Sequence, residues 1–248
     1  MKIIHMNKLG AVMEMKFRAL FSKNFISMPI FALGFALVMK WVYGSIMSKE
    51  GISDELRVFV MSYSAIMNVT MSGIYSVSAL MAEEKEKHTL RVLMTSSVNG
   101  LEFCLGSMIP VILVMISVNI MLVPLVGVSM SAAGWGAYIG VTVLSCVTSA
   151  MIGMIFGIFA KNQMSAGTIT MPALLILMMI PMFSAFNQTL EKVSEVLFTG
   201  VLMQTISNVA GGTGQLVSIK SILVMIVEIV LAVGCFLMFY RKNGYDHD

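Results

Sequence analysis

Charged residues are scarce in this sequence. They make up 12% of the 248 residues, and hydrophobic residues make up 58%, whereas a soluble domain has about 25% charged and about 45–50% apolar residues. This composition excludes an ordinary soluble enzyme, a disordered chain and a protein that binds nucleic acid through a basic surface. Together with the mean hydropathy of +0.89, it predicts a protein that crosses the membrane several times.

Residues that carry out chemistry are also few and scattered. The three cysteines, Cys104, Cys146 and Cys235, form no CxxC pair, so they predict neither a disulfide framework nor a thiolate metal site. We expect all three to be small, buried, apolar side chains. The three histidines lie far apart in the sequence and lack the spacing of zinc ligands. We therefore predict that the chain is not an enzyme.

No nucleotide-binding loop is present either. The sequence contains no GxxxxGK[ST] motif, and the glycine-rich stretch at 211–214 lacks the lysine that would reach a phosphate group. We expect no metal site and no cofactor in this chain.

Six continuous apolar segments dominate the sequence. Each is long enough to cross about 30 Å of hydrocarbon as a helix of about 20 residues, whereas barrel strands would alternate in pieces of about ten residues. The segments lie at about 25–43, 58–82, 105–128, 135–160, 167–186 and 219–240. We predict an all-α, polytopic membrane protein with an interfacial helix over 1–24, a six-span transmembrane domain over 25–240 and a tail over 241–248.

The first 24 residues are basic and amphipathic. Their apolar residues recur at spacings of three and four and share one side of a helical wheel: Met6, Leu9, Met13, Phe17, Leu20 and Phe21. This pattern predicts a helix that lies along a membrane surface.

With six spans both termini share one side, and 11 of the 16 Lys and Arg residues lie there: 2, 8, 16, 18, 23, 85, 87, 91, 161, 241 and 242. The positive-inside rule then places both termini in the cytoplasm. We expect the chain to lie in the cell membrane.

The most charged stretch, at 83–106, follows the second apolar segment. Glu83 and Lys87 have the spacing of an ion pair on a helix. Leu90 and Leu93 then lie on an apolar stripe, and a polar run separates this piece from a second helical piece that leads into the third span. A charged, rigid projection of this kind is suited to contact a soluble motor protein.

This stretch resembles the motif of the type-2 permeases of ATP-binding-cassette (ABC) transporters, which reads roughly E-K-E-x-G-T-L-x-x-L-L-x-x-P-[VI]-S and later L-G-K. The matching residues are Glu84, Lys85, Glu86, Thr89, Leu90, Leu93, Met94, Val98, Leu105 and Gly106. Four positions depart from it, with histidine for glycine, serine for proline, asparagine for serine and serine for lysine: His88, Ser97, Asn99 and Ser107. The six-span layout and the amphipathic first helix extend the resemblance over nearly the whole chain.

The resemblance implies the membrane subunit of a bacterial exporter. Two such permeases, identical or homologous, would assemble with two copies of a separate ATPase subunit, which would bind ATP and Mg²⁺. The first helix would be a connecting helix, and the segment at 187–218 would form re-entrant helices on the outside. A coupling helix would dock on the ATPase through Glu83, Glu84, Lys85, Glu86, His88, Thr89, Leu90, Arg91 and Leu93.

Polar residues inside the spans are candidates for a translocation path. Glu228 lies near the middle of the last apolar segment, where an unpaired carboxylate costs several kcal/mol. It either lines a path or gate, or bonds to a neighbouring helix, for example at Asn68, Thr70 or Asn119. Two prolines would allow the fifth span to kink. The candidate path or gating residues are Glu228, Asn68, Asn119, Pro172 and Pro181.

Three functions are compatible with these features. The motif favours export of an amphiphilic substrate such as a drug, an antimicrobial peptide or a lipid-like molecule. ABC transport of sodium or copper is an alternative, since the 26 methionines offer Cu(I) ligands, although methionine also fills apolar packing. The third function is a non-transporting membrane module that acts as a sensor or in immunity.

Overall fold

The computed structural model describes residues 6–20, 25–46, 53–87, 100–212 and 216–243. These residues form helices and contain no β-strand, which confirms the predicted all-α class. Six helices are long and apolar enough to cross a membrane, as the six apolar segments predicted.

The helices follow one another along the chain. They are α1 (Met6–Leu20), α2 (Ser27–Ile46), α3 (Asp54–Met67), a π-helical segment (Asn68–Ser76), α4 (Val77–Glu86), α5 (Gly100–Val126), α6 (Ala132–Phe159), α7 (Gln163–Phe183), a 3₁₀ turn (Ser184–Phe186), α8 (Gln188–Ser194), α9 (Phe198–Ala210) and α10 (Ile219–Asn243). The spans are α2, the continuous α3–π–α4 helix, α5, α6, α7 and α10. We call the end where α4 ends and α5 begins the charged end, and the other the opposite end.

The second span, α3–π–α4, is the centre of the bundle. Its membrane window is 89% buried, against 11% for α2, 22% for α7 and 17% for α10. Its buried positions include many small hydroxyl side chains, such as Ser62, Ser64, Thr70 and Ser78. Small residues let helices approach closely in a membrane, so this span can be surrounded on every side.

The π-helical segment packs closely on α6. A Cβ atom on Gly153 of α6 would lie 2.5 Å from the carbonyl oxygen of Gly73 and 2.8 Å from that of Ile74. Across the same interface, Ser149 donates a hydrogen bond of 2.6 Å to the carbonyl oxygen of Val69. Glycine at 73 and 153 therefore brings the two backbones together.

Three spans turn broad apolar faces outward. α2, α7 and α10 carry exposed large side chains, among them Phe31, Leu37, Leu175 and Leu231. Such faces are typical of helices that contact lipid or another membrane protein. Cys235, which we predicted to be buried, lies on such a face of α10 and is exposed, because an apolar run in a membrane helix includes residues that point away from the protein.

The segment between the fifth and sixth spans contains the two helices α8 and α9. α9 packs against α3, α6, α7 and α10, and Phe198, Leu202 and Ile206 are completely buried along its length. This long connection is therefore part of the packed bundle at the opposite end. Its re-entrant placement in the membrane stays a prediction.

We predict that Gly153→Ala lowers the free energy of unfolding by about 1–3 kcal/mol, as overpacking does in well-packed interiors. The added methyl group would meet the backbone carbonyls of the π-helical segment, which cannot move aside as a side chain can. Unfolding of the purified chain in mild detergent would measure the change.

Gly140→Ala is the matched control, since it lies on the same helix and its Cβ atom would meet nothing within 4 Å. It should be neutral or slightly stabilising, because alanine favours a helix over glycine. Equal losses in the two variants would contradict the close approach at Gly153.

Candidate functional site at the charged end

Glu84 holds the amino-terminal helix onto the second span. Its Oε1 lies 2.9 Å from the Nζ of Lys16 in α1, and this ammonium group also lies 5.2 Å from the centre of the Phe103 ring in α5. The side chain of Lys16 is 1% exposed and that of Glu84 is 16% exposed. The ion pair therefore joins α1, α4 and α5 in an almost dry environment.

The burial of Lys16 has an electrostatic consequence. Burial lowers the pKa of Lys16 from its ordinary value of 10.5, and the nearby carboxylates of Glu84 and Glu83 act in the opposite direction. Removing a buried charge from water costs free energy unless a partner of opposite charge compensates. Glu84 is that partner, so the packed position of α1 depends on the Glu84 carboxylate.

The buried face of α1 differs from the predicted apolar stripe, because it includes Lys16. The helix packs on α5 through Leu9, Val12, Lys16 and Leu20, its buried residues, while Met6 and Phe17 of the predicted apolar stripe are exposed. Val12 fits against Gly106, where a Cβ atom would approach its Cγ1 to 2.6 Å. The signal in the sequence was the position of Lys16, four residues after Val12 and four before Leu20 on one helical face.

Lys85 reaches the carboxyl end of α6. Its Nζ donates to the carbonyl oxygens of Ile158, at 2.5 Å, and Ala160, at 3.4 Å. The last carbonyls of a helix have no partner within the helix and carry partial negative charge. A lysine at this place satisfies them and fixes the end of the fourth span to α4.

Glu86 reaches the beginning of α7. Its Oε2 accepts a hydrogen bond of 3.2 Å from the backbone nitrogen of Gln163. Asn162 caps the same helix, since its Oδ1 accepts from the nitrogen of Ser165 at 2.8 Å. A carboxylate at a helix amino terminus meets partial positive charge, so Glu86 complements α7 as Lys85 complements α6.

We define the charged junction as Glu84, Lys85 and Glu86 with their partners in α1, α6 and α7. Three consecutive residues thus connect the end of the second span to three other parts of the protein. Glu83 instead forms the predicted pair with Lys87 on the same helix, and this carboxylate raises the pKa of Lys87.

The remaining predicted coupling residues lie outside the described residues. These are His88, Thr89, Leu90, Arg91 and Leu93. The described chain ends at Lys87 and begins again at Gly100, so their docking role stays a prediction. The charged junction lies immediately before them in sequence.

Asn68 and Asn119 form a hydrogen-bond network inside the bundle. The Nδ2 of Asn68 donates to the Oδ1 of Asn119 at 2.8 Å and to the carbonyl oxygen of Met115 at 2.9 Å. Ser72 donates to the Oδ1 of Asn68 at 3.2 Å, and the Tyr138 hydroxyl donates to the carbonyl oxygen of Asn119 at 3.0 Å. Both asparagines are fully buried, so the network joins the second, third and fourth spans.

Glu228 lies apart from that network. Its Oε1 accepts a hydrogen bond of 3.2 Å from the backbone nitrogen of Phe198, the first residue of α9, instead of bonding Asn68, Thr70 or Asn119. Leu197, the residue at the N-cap position of α9, makes no side-chain cap, so Glu228 supplies an acceptor for one of the orphan N–H groups there. The other oxygen, Oε2, has no hydrogen-bond partner within the described chain.

The two prolines of the predicted gate both lie in α7. Pro172 lies in its interior and is exposed, whereas Pro181 is buried near its end. The helix stops two residues after Pro181, and the 3₁₀ turn follows. Their predicted role in gating stays a prediction.

The described residues form a helical bundle with six potential membrane spans and a charged junction at the end of the second span. Residues 36–239 match the family described as ABC-2 family transporter protein. Since the match covers more than half of the chain, the chain belongs to this family, and it is an integral membrane protein. No curated protein matches the sequence.

We predict that Glu84→Gln lowers the free energy of unfolding by about 3 kcal/mol, because Lys16 would be left buried without its compensating charge. The double variant Lys16→Met with Glu84→Met should recover most of this loss, since apolar residues replace buried pairs at little cost. Unfolding in detergent would measure both.

Glu14→Gln is the matched control on α1. Its carboxylate pairs with Arg18 at 2.8 Å, but the two side chains are 67% and 80% exposed. An exposed pair of this kind contributes less than about 1 kcal/mol. A Glu84→Gln variant as stable as Glu14→Gln would show that the pair does not hold α1.

We predict that Glu228→Leu destabilises the chain by about 0.5–2 kcal/mol, the usual cost of losing a helix cap. Glu228→Gln should have a smaller effect, because the amide oxygen can still accept from the nitrogen of Phe198. Val230→Leu on the exposed face of the same helix is the control. Equal losses in the Gln and Leu variants would show that the bond to α9 is not what Glu228 contributes.

Proposed function

We propose that the chain is the permease subunit of an ABC exporter that moves an amphiphilic substrate, driven by a separate ATPase. The observation that supports this proposal most is the charged junction, seen in a chain of the ABC-2 family. It connects the segment expected to receive the ATPase with three helices of the membrane domain at once.

The junction supports a physical route for coupling. A movement of the segment that follows Lys87 would act on α4 directly. Through Glu84 it would act on α1, and through Lys85 and Glu86 it would act on the connection between α6 and α7. A conformational change of this kind requires that ATP-bound and ATP-free partners contact the segment differently.

The proposed complex contains two copies of the ATPase and a second permease, identical or homologous. ATP and Mg²⁺ would be bound by the ATPase, because this sequence has no nucleotide-binding loop. The Lys and Arg distribution supports cytoplasmic termini, with the charged end on the ATPase side of the cell membrane. The exposed apolar faces of α2, α7 and α10 offer surfaces for lipid and for the second permease.

An amphiphilic substrate is favoured over an ion. The apolar bundle has few buried charges, and its polar positions are mostly hydroxyl groups. These features suit a molecule that is itself partly apolar.

We predict that Leu93→Asp abolishes co-purification of an ATPase in a mild-detergent pulldown of the tagged chain from its native cells. A carboxylate would replace the apolar residue expected to enter the ATPase groove, and leaving a charge without a partner in an interface is costly. Mass spectrometry of the eluate would identify the ATPase and any second permease.

Val193→Asp is the control, since it introduces the same charge at a partly exposed apolar residue of α8, at the opposite end. It should retain the ATPase. If the unaltered chain elutes alone in several detergents, the non-transporting module replaces the exporter as the best proposal.

A further inference from the structure

The second span has one line of side chains that the rest of the bundle does not cover. Between positions 60 and 82 every residue is buried except Tyr63, Met71 and Tyr75. Phe59, which is also partly exposed, continues this line toward the opposite end. We call Phe59, Tyr63, Met71 and Tyr75 the aromatic stripe. None of the residues predicted for a translocation path belongs to it.

The π-helical segment keeps the aromatic stripe on one face. In an α-helix four residues turn about 40° more than a full turn, so over four such intervals Tyr75 would point about 160° away from Phe59. A π-helix has about 4.4 residues per turn, so four residues fall about 30° short of a full turn. The last two intervals, from Met67 to Tyr75, lie along the segment Asn68–Ser76. Their backward rotation nearly cancels the forward rotation of the first two.

Two neighbouring spans border the aromatic stripe. Phe35 of α2 packs on Tyr63 at 5.4 Å between ring centres, and Phe59 stacks on the same ring at 6.1 Å. Farther along the stripe, a Cβ atom on Gly167 of α7 would lie 3.5 Å from the Tyr75 ring. Within the described chain α2 and α7 form no packed interface with each other. The stripe therefore lies in a groove between these two spans.

The hydroxyl groups of Tyr63 and Tyr75 point to a polar occupant of the groove. Neither forms a hydrogen bond with any residue that the structure describes, whereas the buried hydroxyl of Tyr138 donates to the carbonyl oxygen of Asn119 at 3.0 Å. Neither hydroxyl oxygen is enclosed in the protein, so a molecule in the groove can reach both. Lipid tails offer no acceptor at this depth, and a hydroxyl group without a partner there costs free energy.

We propose that this groove binds a molecule that has aromatic rings and hydrogen-bond acceptors. Its rings would stack on Phe59 and Tyr63, its acceptors would receive the hydroxyl hydrogens of Tyr63 and Tyr75, and the flexible thioether of Met71 would adapt to its shape. The inference names the substrate class of the proposed exporter and rests on that function for its role, but the binding itself needs no ATPase.

The first experiment asks whether the groove is open to water. Tyr63→Cys, Met71→Cys and Tyr75→Cys are made one at a time in a Cys235→Ala chain, because the other two native cysteines are buried. Each purified full chain in phosphatidylcholine nanodiscs is treated with a charged, water-soluble methanethiosulfonate. We expect reaction at least about tenfold faster than at the controls, because the reactive thiolate forms in water and not in hydrocarbon.

The matched controls are Leu37→Cys on α2 and Leu175→Cys on α7. Both leucines lie on outward apolar faces of the spans that border the groove, and each is 51% exposed. They report the rate at a cysteine that faces lipid.

The second experiment measures occupancy by protection of Met71→Cys from the same reagent. The probe is 4,4′-diacetylbiphenyl, which has two aromatic rings and a carbonyl acceptor at each end. In 4,4′-diisopropenylbiphenyl a carbon atom replaces each carbonyl oxygen in the same shape. At equal mole fraction in the lipid, we expect saturable protection by the diketone and protection at least about fivefold weaker by the hydrocarbon.

Three phenylalanine variants of the Met71→Cys chain locate the acceptors. Tyr63→Phe and Tyr75→Phe keep the rings and remove the hydroxyl groups, so each should weaken protection about two- to tenfold. Tyr43→Phe is the control, since it removes a partly exposed hydroxyl near the end of α2 that does not belong to the aromatic stripe. It should leave protection unchanged.

The proposal is overturned if the stripe cysteines react no faster than Leu37→Cys and Leu175→Cys, since lipid or another protein then covers the groove. It is also overturned if the two biphenyls protect equally, or if Tyr43→Phe has the same effect as Tyr75→Phe. Each variant is first shown to elute from a sizing column as the unaltered chain does. A missing aromatic site with a retained ATPase partner would leave the exporter standing, whereas an aromatic site in a chain without an ATPase would do the reverse.

Discussion

The placement of a buried lysine against a carboxylate is the constraint on which the charged end depends. Lys16 is almost completely enclosed, so α1 can lie on α5 only if Glu84 occupies one position at the end of the second span. Once Glu84 is fixed, the helical backbone determines where the next two residues point. Lys85 then meets the carboxyl end of α6, and Glu86 meets the amino end of α7. Three consecutive side chains thereby join α4 to α1, α6 and α7.

Inside the bundle, polar groups must find hydrogen-bond partners within the protein, because lipid provides none. The second span meets this requirement in part: Thr70 donates to the carbonyl oxygen of Ile66 on its own helix, and the carbonyl oxygen of Val69 accepts from Ser149 of α6. Asn68 donates to Asn119 across two spans, whereas the Nδ2 of Asn119 has no hydrogen-bond partner among the described residues. Glycine at 73 and 153 then lets the helices close around these bonds. Small residues thus give close packing, and some of them, such as Thr70 and Ser149, also hydrogen-bond to backbone carbonyls.

Hydropathy and charge were enough to predict the number of spans, the helical class and the pairing of Glu83 with Lys87, because these depend on local pattern. Three features could not be found in this way. The burial of Lys16 depends on a partner 68 residues away, and the bond of Glu228 to α9 depends on how a long connection folds back on the last span. The π-helical segment covers only nine residues, which is too short to change the periodicity of apolar residues in the sequence. Its wider turn depends on the helices that pack against it.

The sequence separations within the charged junction have a consequence for how the chain is made. Lys16 and Glu84 are both synthesised before the third span, whereas the partners of Lys85 and Glu86 follow 73 to 77 residues later. Because synthesis proceeds from the amino terminus, α1 can be seated once α5, the helix on which it packs, has been made, before the partners of Lys85 and Glu86 exist. Biogenesis of the junction is therefore ordered: the ion pair with Lys16 is buried when the third span arrives, and the connection between α6 and α7 completes the junction as the fifth span emerges.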